Sequence, residues 1–232
     1  MITNAEIRQV KSLREKKFRE SLGLFVVEGE KMVEEACASG YGIVNLWHIT
    51  EIGEDAMARI STLNTPSPVL AVVRKPEGKV PESCGGLCLA LDSVRDPGNM
   101  GTIMRICDWF GVGTLYLSPD CVEIYNPKVI QASMGSIFRV RTATVDIPSI
   151  CREFRKKGLP VYGTFLDGAD IYAQELEGEG LIVMGNESNG ISPGTGAEVS
   201  SRLRIPSFGN SGAESLNVAV AAAVTLSEFR RR

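Results

Sequence analysis

The stretch LCLALDSVRDPGNMGTIMRICDWFGVGTLYL, residues 87–117, decides the fold class. It opens on an apolar run, 87–91, of strand length and without polar alternation, the pattern of a strand covered on both faces. A polar turn follows, Asp92-Ser-Val-Arg-Asp-Pro-Gly-Asn-Met-Gly101. Residues 102–110 then set Ile103, Ile106, Cys107 and Phe110 on one side of a helix, and 114–117 return to strand composition. Strand, turn, helix and strand in about 30 residues make a βαβ unit, so a parallel sheet is expected. In such sheets ligands bind at the carboxyl ends of strands, which makes Asp92, Asp96, Asn99 and the helix residue Arg105 candidates to face one. The same residues admit a plainer reading, in which Asp96 or Asn99 only caps the helix and Arg105 is a solvated cation at a helix edge.

The pattern continues downstream with helices near 127–137 and 148–157, strands at 160–165 and 181–184, a short strand at 203–206, and a final helix over 216–230. The 181–184 strand runs directly into Gly185-Asn-Glu-Ser-Asn-Gly190. Glycines there permit close backbone approach, but Glu187 is more than a tight turn requires. A third loop, from Ile205-Pro206 to Asn217, leads into the last helix, with Ser215 expected as its cap and Asn217 in its first turn. That helix is apolar on all sides from 218 to 226 and is expected to be buried, in a core or against a second subunit.

Upstream, residues 4–20 read as a polar helix, 24–27 as a strand, 31–39 as a helix ended by Gly40, and 45–49 and 69–73 as strands. Residues 75–86 hold two prolines and three glycines with few large apolar side chains, the composition of a linker. The expected organisation is a small α/β domain at 1–75, a linker at 76–86 and a second α/β domain at 87–232.

Composition narrows the function. The chain has 232 residues, 44% hydrophobic and 23% charged, which is the usage of a folded globular protein. No apolar run approaches the roughly 20 residues a membrane span needs, and residues 1–19 carry no apolar block like a secretory signal, so a soluble cytoplasmic protein is expected. The net charge of -3 argues against a protein that coats nucleic acid through a uniformly basic surface. A local patch is compatible with it: residues 8–19 carry Arg8, Lys11, Arg14, Lys16, Lys17 and Arg19 against Glu15 alone. Cys37, Cys84, Cys88, Cys107, Cys121 and Cys151 are scattered without metal-ligand spacing and read as reduced thiols; no metal site is expected. Neither G-x-G-x-x-G after a strand nor G-x-x-x-x-G-K-[ST] occurs, which disfavours the usual NAD and ATP sites. His48 is the single histidine and falls in the first domain, away from the loops, which leaves little room for triad chemistry.

Together the three loops resemble the ordered motifs of the SpoU/TrmH family of RNA 2′-O-ribose methyltransferases, in the SPOUT superfamily. The first motif, D-x-V-x-D-P-x-N-x-G-x-I-x-R, stands at Asp92 to Arg105; the second is Val183-Met-Gly-Asn-Glu-Ser-Asn-Gly190; the third is Ile205-Pro206 with Ser215-Leu-Asn-Val-Ala219. Phe25-Val-Val-Glu-Gly-Glu-Lys31 is similar to the start of the small substrate-binding domain that many members carry. The resemblance covers nearly the whole chain. It implies a Rossmann-like C-terminal domain with a deep trefoil knot, a ribosomal-protein-like N-terminal domain, a homodimer formed through the knotted region, and S-adenosylmethionine as methyl donor. It further implies donor contacts at Thr164, Phe165, Gly185, Ile205 and Leu216, and a reaction site of Asn99, Arg105, Glu187, Ser215 and Asn217. The loop between Gly209 and Ser215 is longer than the usual family form.

The substrate implied is RNA, with ribosomal RNA favoured over transfer RNA because the extra N-terminal domain resembles that of the ribosomal-RNA members. Two rivals stay open on sequence grounds: a non-catalytic RNA-binding protein on the same fold, and a nucleotide-binding dehydrogenase with a degenerate glycine loop.

Overall fold

The computed structural model describes residues 2–76, 85–208, 212 and 214–231. Most of the expected linker, with Cys84, and residues 209–211 and 213 of the third loop lie outside them. The chain divides into two compact units, one of Met1–Gly78 with Glu123–Arg139, the other of Lys79–Val122 with Val140–Arg232.

The first unit runs α1 (Asn4–Ser12), α2 (Lys16–Leu22), β1 (Leu24–Glu28), α3 (Glu30–Ala38), β2 (Ile43–His48), α4 (Ile49–Ile52), α5 (Glu54–Ile60) and β3 (Val69–Arg74). Its sheet is antiparallel with order β1-β3-β2. The helix expected over 4–20 is broken at Leu13. Thr3 and Glu6 form a reciprocal capping box at the start of α1. At the break, the buried guanidinium of Arg19 donates from Nη1 to the carbonyls of Leu13 and Arg14, each at 2.8 Å, satisfying acceptors that an α-helix end leaves open. Leu13 thereby joins Ile7, Val10, Met57, Ile60 and Leu70 in one core cluster.

The sheet also packs against the segment Glu123–Arg139. Phe25 is fully buried, with its ring centroid 4.6 Å from that of Tyr125, and Tyr41 meets Phe138 edge-on at 5.2 Å. Glu123 accepts from Arg19 Nε at 2.8 Å and from Lys75 Nζ at 2.8 Å. The helix expected at 127–137 is shorter, Pro127–Ser133, because Met134 and Gly135 adopt left-handed backbone (φ 49° and 92°) and end it before a 3-10 turn at Ser136–Phe138.

The second unit comprises β4 (Leu87–Leu91), α6 (Pro97–Trp109), β5 (Leu115–Leu117), β6 (Thr142–Thr144), α8 (Ile147–Lys156), β7 (Val161–Asp170), β8 (Gly180–Met184), α9 (Pro193–Gly196), β9 (Ser201–Arg204) and α10 (Val218–Arg231), the Pro127–Ser133 helix being α7 in chain order. Its six strands form a wholly parallel sheet in the order β6-β5-β4-β8-β7-β9. The α/β class and the parallel sheet are as expected. β4 and β8 are central, buried along their whole length and in register, Leu91 opposite Met184, so the loops that follow them leave the sheet side by side.

Several features of this unit differ from the sequence expectation. α6 starts at Pro97 rather than 102, because Asp96 caps it by accepting from Asn99 N at 2.7 Å and Pro97 occupies its first position. β7 extends to Asp170, its pairing with β9 slipping between Thr164 and Ala169 so that 165–168 loop out. A Cβ at Gly168 would lie 2.5 Å from the Leu203 carbonyl carbon, so only glycine fits that crossing. α10 is not buried all round: Val218, Ala219, Ala222, Leu226 and Phe229 are buried, but Val220 is 50% exposed.

Candidate active site

The three sequence motifs converge at the carboxyl ends of β4 and β8. Asn99, in the first turn of α6, donates from Nδ2 to Glu187 Oε1 at 2.6 Å, and its Oδ1 accepts from Asn217 Nδ2 at 2.9 Å. Asn217 in turn caps α10, its Oδ1 accepting from Ala219 N at 2.9 Å and Val220 N at 3.3 Å. The cap of the last helix is therefore Asn217, not Ser215. The resulting chain of bonds runs in one direction, from the backbone donors of a helix start through two carboxamides to a carboxylate. Its directionality fixes both amide orientations, because Glu187 can only accept when ionised.

Behind this chain the loops are held by hydrogen bonds of two buried or half-buried side chains, Asp92 and Asn186. Buried Asp92 accepts from Ser192 N at 3.0 Å and Ser192 Oγ at 2.7 Å, which ties the end of β4 to the end of the second loop. Asn186 accepts from Ser188 N and Asn189 N and donates from Nδ2 to the Ser93 carbonyl at 2.8 Å. A Cβ at Gly185 would sit 2.1 Å from the carbonyl carbon of Gly190, which restricts the position to glycine.

A cleft of about 450 Å³ opens beside the chain. Thr164, Phe165, Gly185, Ile205 and Leu216, the five residues expected to hold a donor, all line it, together with Glu187 and Ser215 of the expected reaction site. Thr164 Oγ1 donates to the Val183 carbonyl at 3.4 Å. The Phe165 ring packs on the core cluster that includes Val183 and Ile191, with the Arg202 guanidinium stacked 3.6 Å from its centroid.

Arg105 stands apart. It is exposed on α6 and, among the described residues, makes no hydrogen bond or ion pair. His48 is exposed in the first unit. Burial raises the thiol pKa of Cys107 and of Cys151, the latter to about 12, so neither is a nucleophile near neutrality. Among the described residues no cluster of His, Cys, Asp or Glu is arranged to hold a metal ion. Sequence reading missed Asn186 and the apolar wall of Met184, Val218 and Ala221. The spacing of Asn186 to Ser188 and Asn189 is that of an Asx turn, a signal that was available; the wall carries no polar pattern to mark it.

Residues 86–227 match the model of the SpoU rRNA Methylase family, and residues 4–48 match that of the MRM3-like substrate binding domain. The chain is 31% identical to the 23S rRNA (guanosine(2553)-2'-O)-methyltransferase RlmP of Bacillus subtilis, over 98% of its own length and 96% of the relative's. Among solved structures, a putative RNA methyltransferase of the TrmH family from Porphyromonas gingivalis superposes with a TM-score of 0.92 at 39% identity, covering 100% of this chain and 99% of that one. An AdoMet-bound rRNA methyltransferase from Sinorhizobium meliloti gives 0.88 at 28% identity, covering 100% and 96%.

Proposed function

The chain belongs to the SpoU rRNA Methylase family, and from that premise we propose that it transfers a methyl group from S-adenosylmethionine to a ribose 2′-hydroxyl of RNA, with ribosomal RNA as the substrate class. The observation that carries this reading is the junction of two features: a cleft lined by Thr164, Phe165, Gly185, Ile205 and Leu216, and the Glu187–Asn99–Asn217 chain at its edge. Ribosomal RNA is favoured by the relatives named above and by the N-terminal match to a substrate-binding domain.

The residues fit the donor. Ile205, Leu216, Val218 and Ala221 offer an apolar wall to a flat base, and the Gly185 backbone is unobstructed by a side chain. When bound, the donor supplies an electrophilic methyl on a sulfonium sulfur. Asn99, Glu187 and Asn217 hold the three loops in one geometry, with Ser215 beside them, so the acceptor hydroxyl meets a preorganised site. The Arg105 guanidinium serves as a cation, clamping the phosphate next to the target ribose and easing charge that develops on the attacking oxygen.

Pairing of two copies through this unit is part of the reading. Its support is a set of large apolar side chains left in solvent: Trp109 and Phe208 are each 85% exposed, and Val220 and Leu216 are half exposed. Family membership supports the deep knot, and likeness to bacterial rRNA methyltransferases supports a cytoplasmic location. No helix among the described residues is long and apolar enough to cross a membrane.

The test is transfer of labelled methyl from S-adenosylmethionine to purified ribosomal and transfer RNA, followed by alkaline hydrolysis. Alkali-resistant label in ribosomal RNA is expected; label only in transfer RNA would reassign the substrate, and no label in either would favour a non-catalytic RNA-binding protein.

A further inference from the structure

Ser93 is one of two residues other than glycine with a left-handed backbone among those described, at φ 65°. That conformation is disfavoured for an L-residue with a side chain and persists only where the surroundings impose it. Here they are identifiable. The Ser93 amide donates to Ser118 Oγ at 2.8 Å, and Ser93 Oγ donates to Asp120 Oδ2 at 2.5 Å. Ser118 Oγ, occupied as acceptor by that amide, gives its own proton to Asp120 Oδ1 at 2.6 Å. Both carboxylate oxygens of Asp120 are therefore used, one to hold the Ser93 hydroxyl itself and the other to orient the Ser118 hydroxyl that accepts from the Ser93 amide. Arg95 adds an ion pair to Asp120 at 3.1 Å, but both side chains are well exposed and the pair contributes little.

The left-handed turn has a downstream effect. The Ser93 carbonyl accepts from Asn186 Nδ2 at 2.8 Å, and the Asn186 Oδ1 organises the consecutive amides of Ser188 and Asn189 within the second loop. Glu187 lies inside that turn, and Gly185 precedes it at the cleft wall. We infer that Asp120 is a positioning residue of the transfer site, holding Ser93 left-handed so that its carbonyl anchors Asn186 and hence sets the loop that carries Glu187. Asp120 touches neither the cleft nor the Glu187–Asn99–Asn217 chain, and it acts through Ser93, directly and by way of Ser118. The inference rests on the methyl-transfer reading for its kinetic consequence and on geometry for its structural one.

The test exploits glycine, which adopts this backbone without being held. Asp120→Ala is expected to lower kcat about tenfold or more while the KM for RNA stays within about threefold, and adding Ser93→Gly to Asp120→Ala is expected to restore kcat. An unchanged kcat in Asp120→Ala, or a loss that Ser93→Gly does not reverse, overturns the inference. If Asp120→Ala does not fold, Asp120→Asn is measured in the same two backgrounds. Should the wild-type protein transfer no methyl to RNA, the proposed function fails but this inference is still decided by crystal structures: an Asn186 side chain detached from Ser93 in Asp120→Ala and reattached in the double variant supports it, and an unmoved loop overturns it.

Discussion

The side-chain amide of Asn217 donates to the side-chain oxygen of Asn99 across 2.9 Å, joining residues 118 positions apart in the chain. Each is already committed at its other end, Asn217 to the start of α10 and Asn99 to Glu187. The bond therefore couples the start of one helix to the placement of a carboxylate two loops away.

Two substitutions separate the roles of Asn217. Asn217→Ala removes the cap and the bond to Asn99 together, and is expected to cost about 1 kcal/mol of stability in addition to activity. Asn217→Asp keeps a capping oxygen but presents no donor to Asn99, so chemical denaturation is expected to find near-normal stability while methyl transfer falls. Wild-type activity in Asn217→Asp would mean that the Asn99 contact is irrelevant to transfer.

Arg105 has no structural duty among the described residues, so Arg105→Ala is expected to fold and melt like the wild type. Its kcat is expected to drop by about a hundredfold, in the range found when a group that stabilises developing negative charge is removed. Calorimetry with S-adenosylmethionine is expected to give unchanged donor affinity. Near-normal turnover would remove Arg105 from the site.

At Gly185 the smallest possible addition is prohibitive, since the new methyl carbon would overlap the backbone at Gly190 and Ile191. Gly185→Ala is expected to displace the second loop and to weaken donor binding more than RNA binding, which separate titrations would read. Equal weakening of both would point to global unfolding, visible in a thermal melt.

Asp120 titrates in an unusual place. Hydrogen bonds from Ser118 and then Ser93 hold its carboxyl at about 2, below its ordinary value. The folded state thus prefers the ionised form, a preference fully expressed above about pH 4 and lost as pH falls toward 2. The stability gap between wild type and Asp120→Asn is expected to be constant from pH 7 to pH 5 and to close below pH 4. A gap that instead widens in acid would show that Asp120 is not stabilised as an anion.

How far the sequence could be read follows from what each element announces. β4 and β8 are uniform apolar runs next to polar glycine-bearing turns, so their burial and the loops after them were legible. Their adjacency, which brings Asn99 within reach of Glu187, depends on strand order and has no local mark. β6 is a three-residue edge strand between threonines, and α4 and α5 are too short to display helical periodicity. The break at Leu13 was hidden because its acceptors are satisfied by Arg19, a residue that composition assigns to a solvated face. Ser215 has the right chemistry for a cap, but Asn217 holds the position, and both fall in a stretch where several residue types suit a helix start.

The allocation of Glu123–Arg139 to the first unit bears on modularity. The family model treats this segment as interior to its own span, yet Tyr125 and Phe138 complete the aromatic cluster around Phe25 and Tyr41. The polypeptide therefore crosses between its two units three times rather than once. A graft that exchanges only the N-terminal residues for those of a relative would mate foreign strands with a native segment, and recombination between family members is constrained to exchange both pieces together.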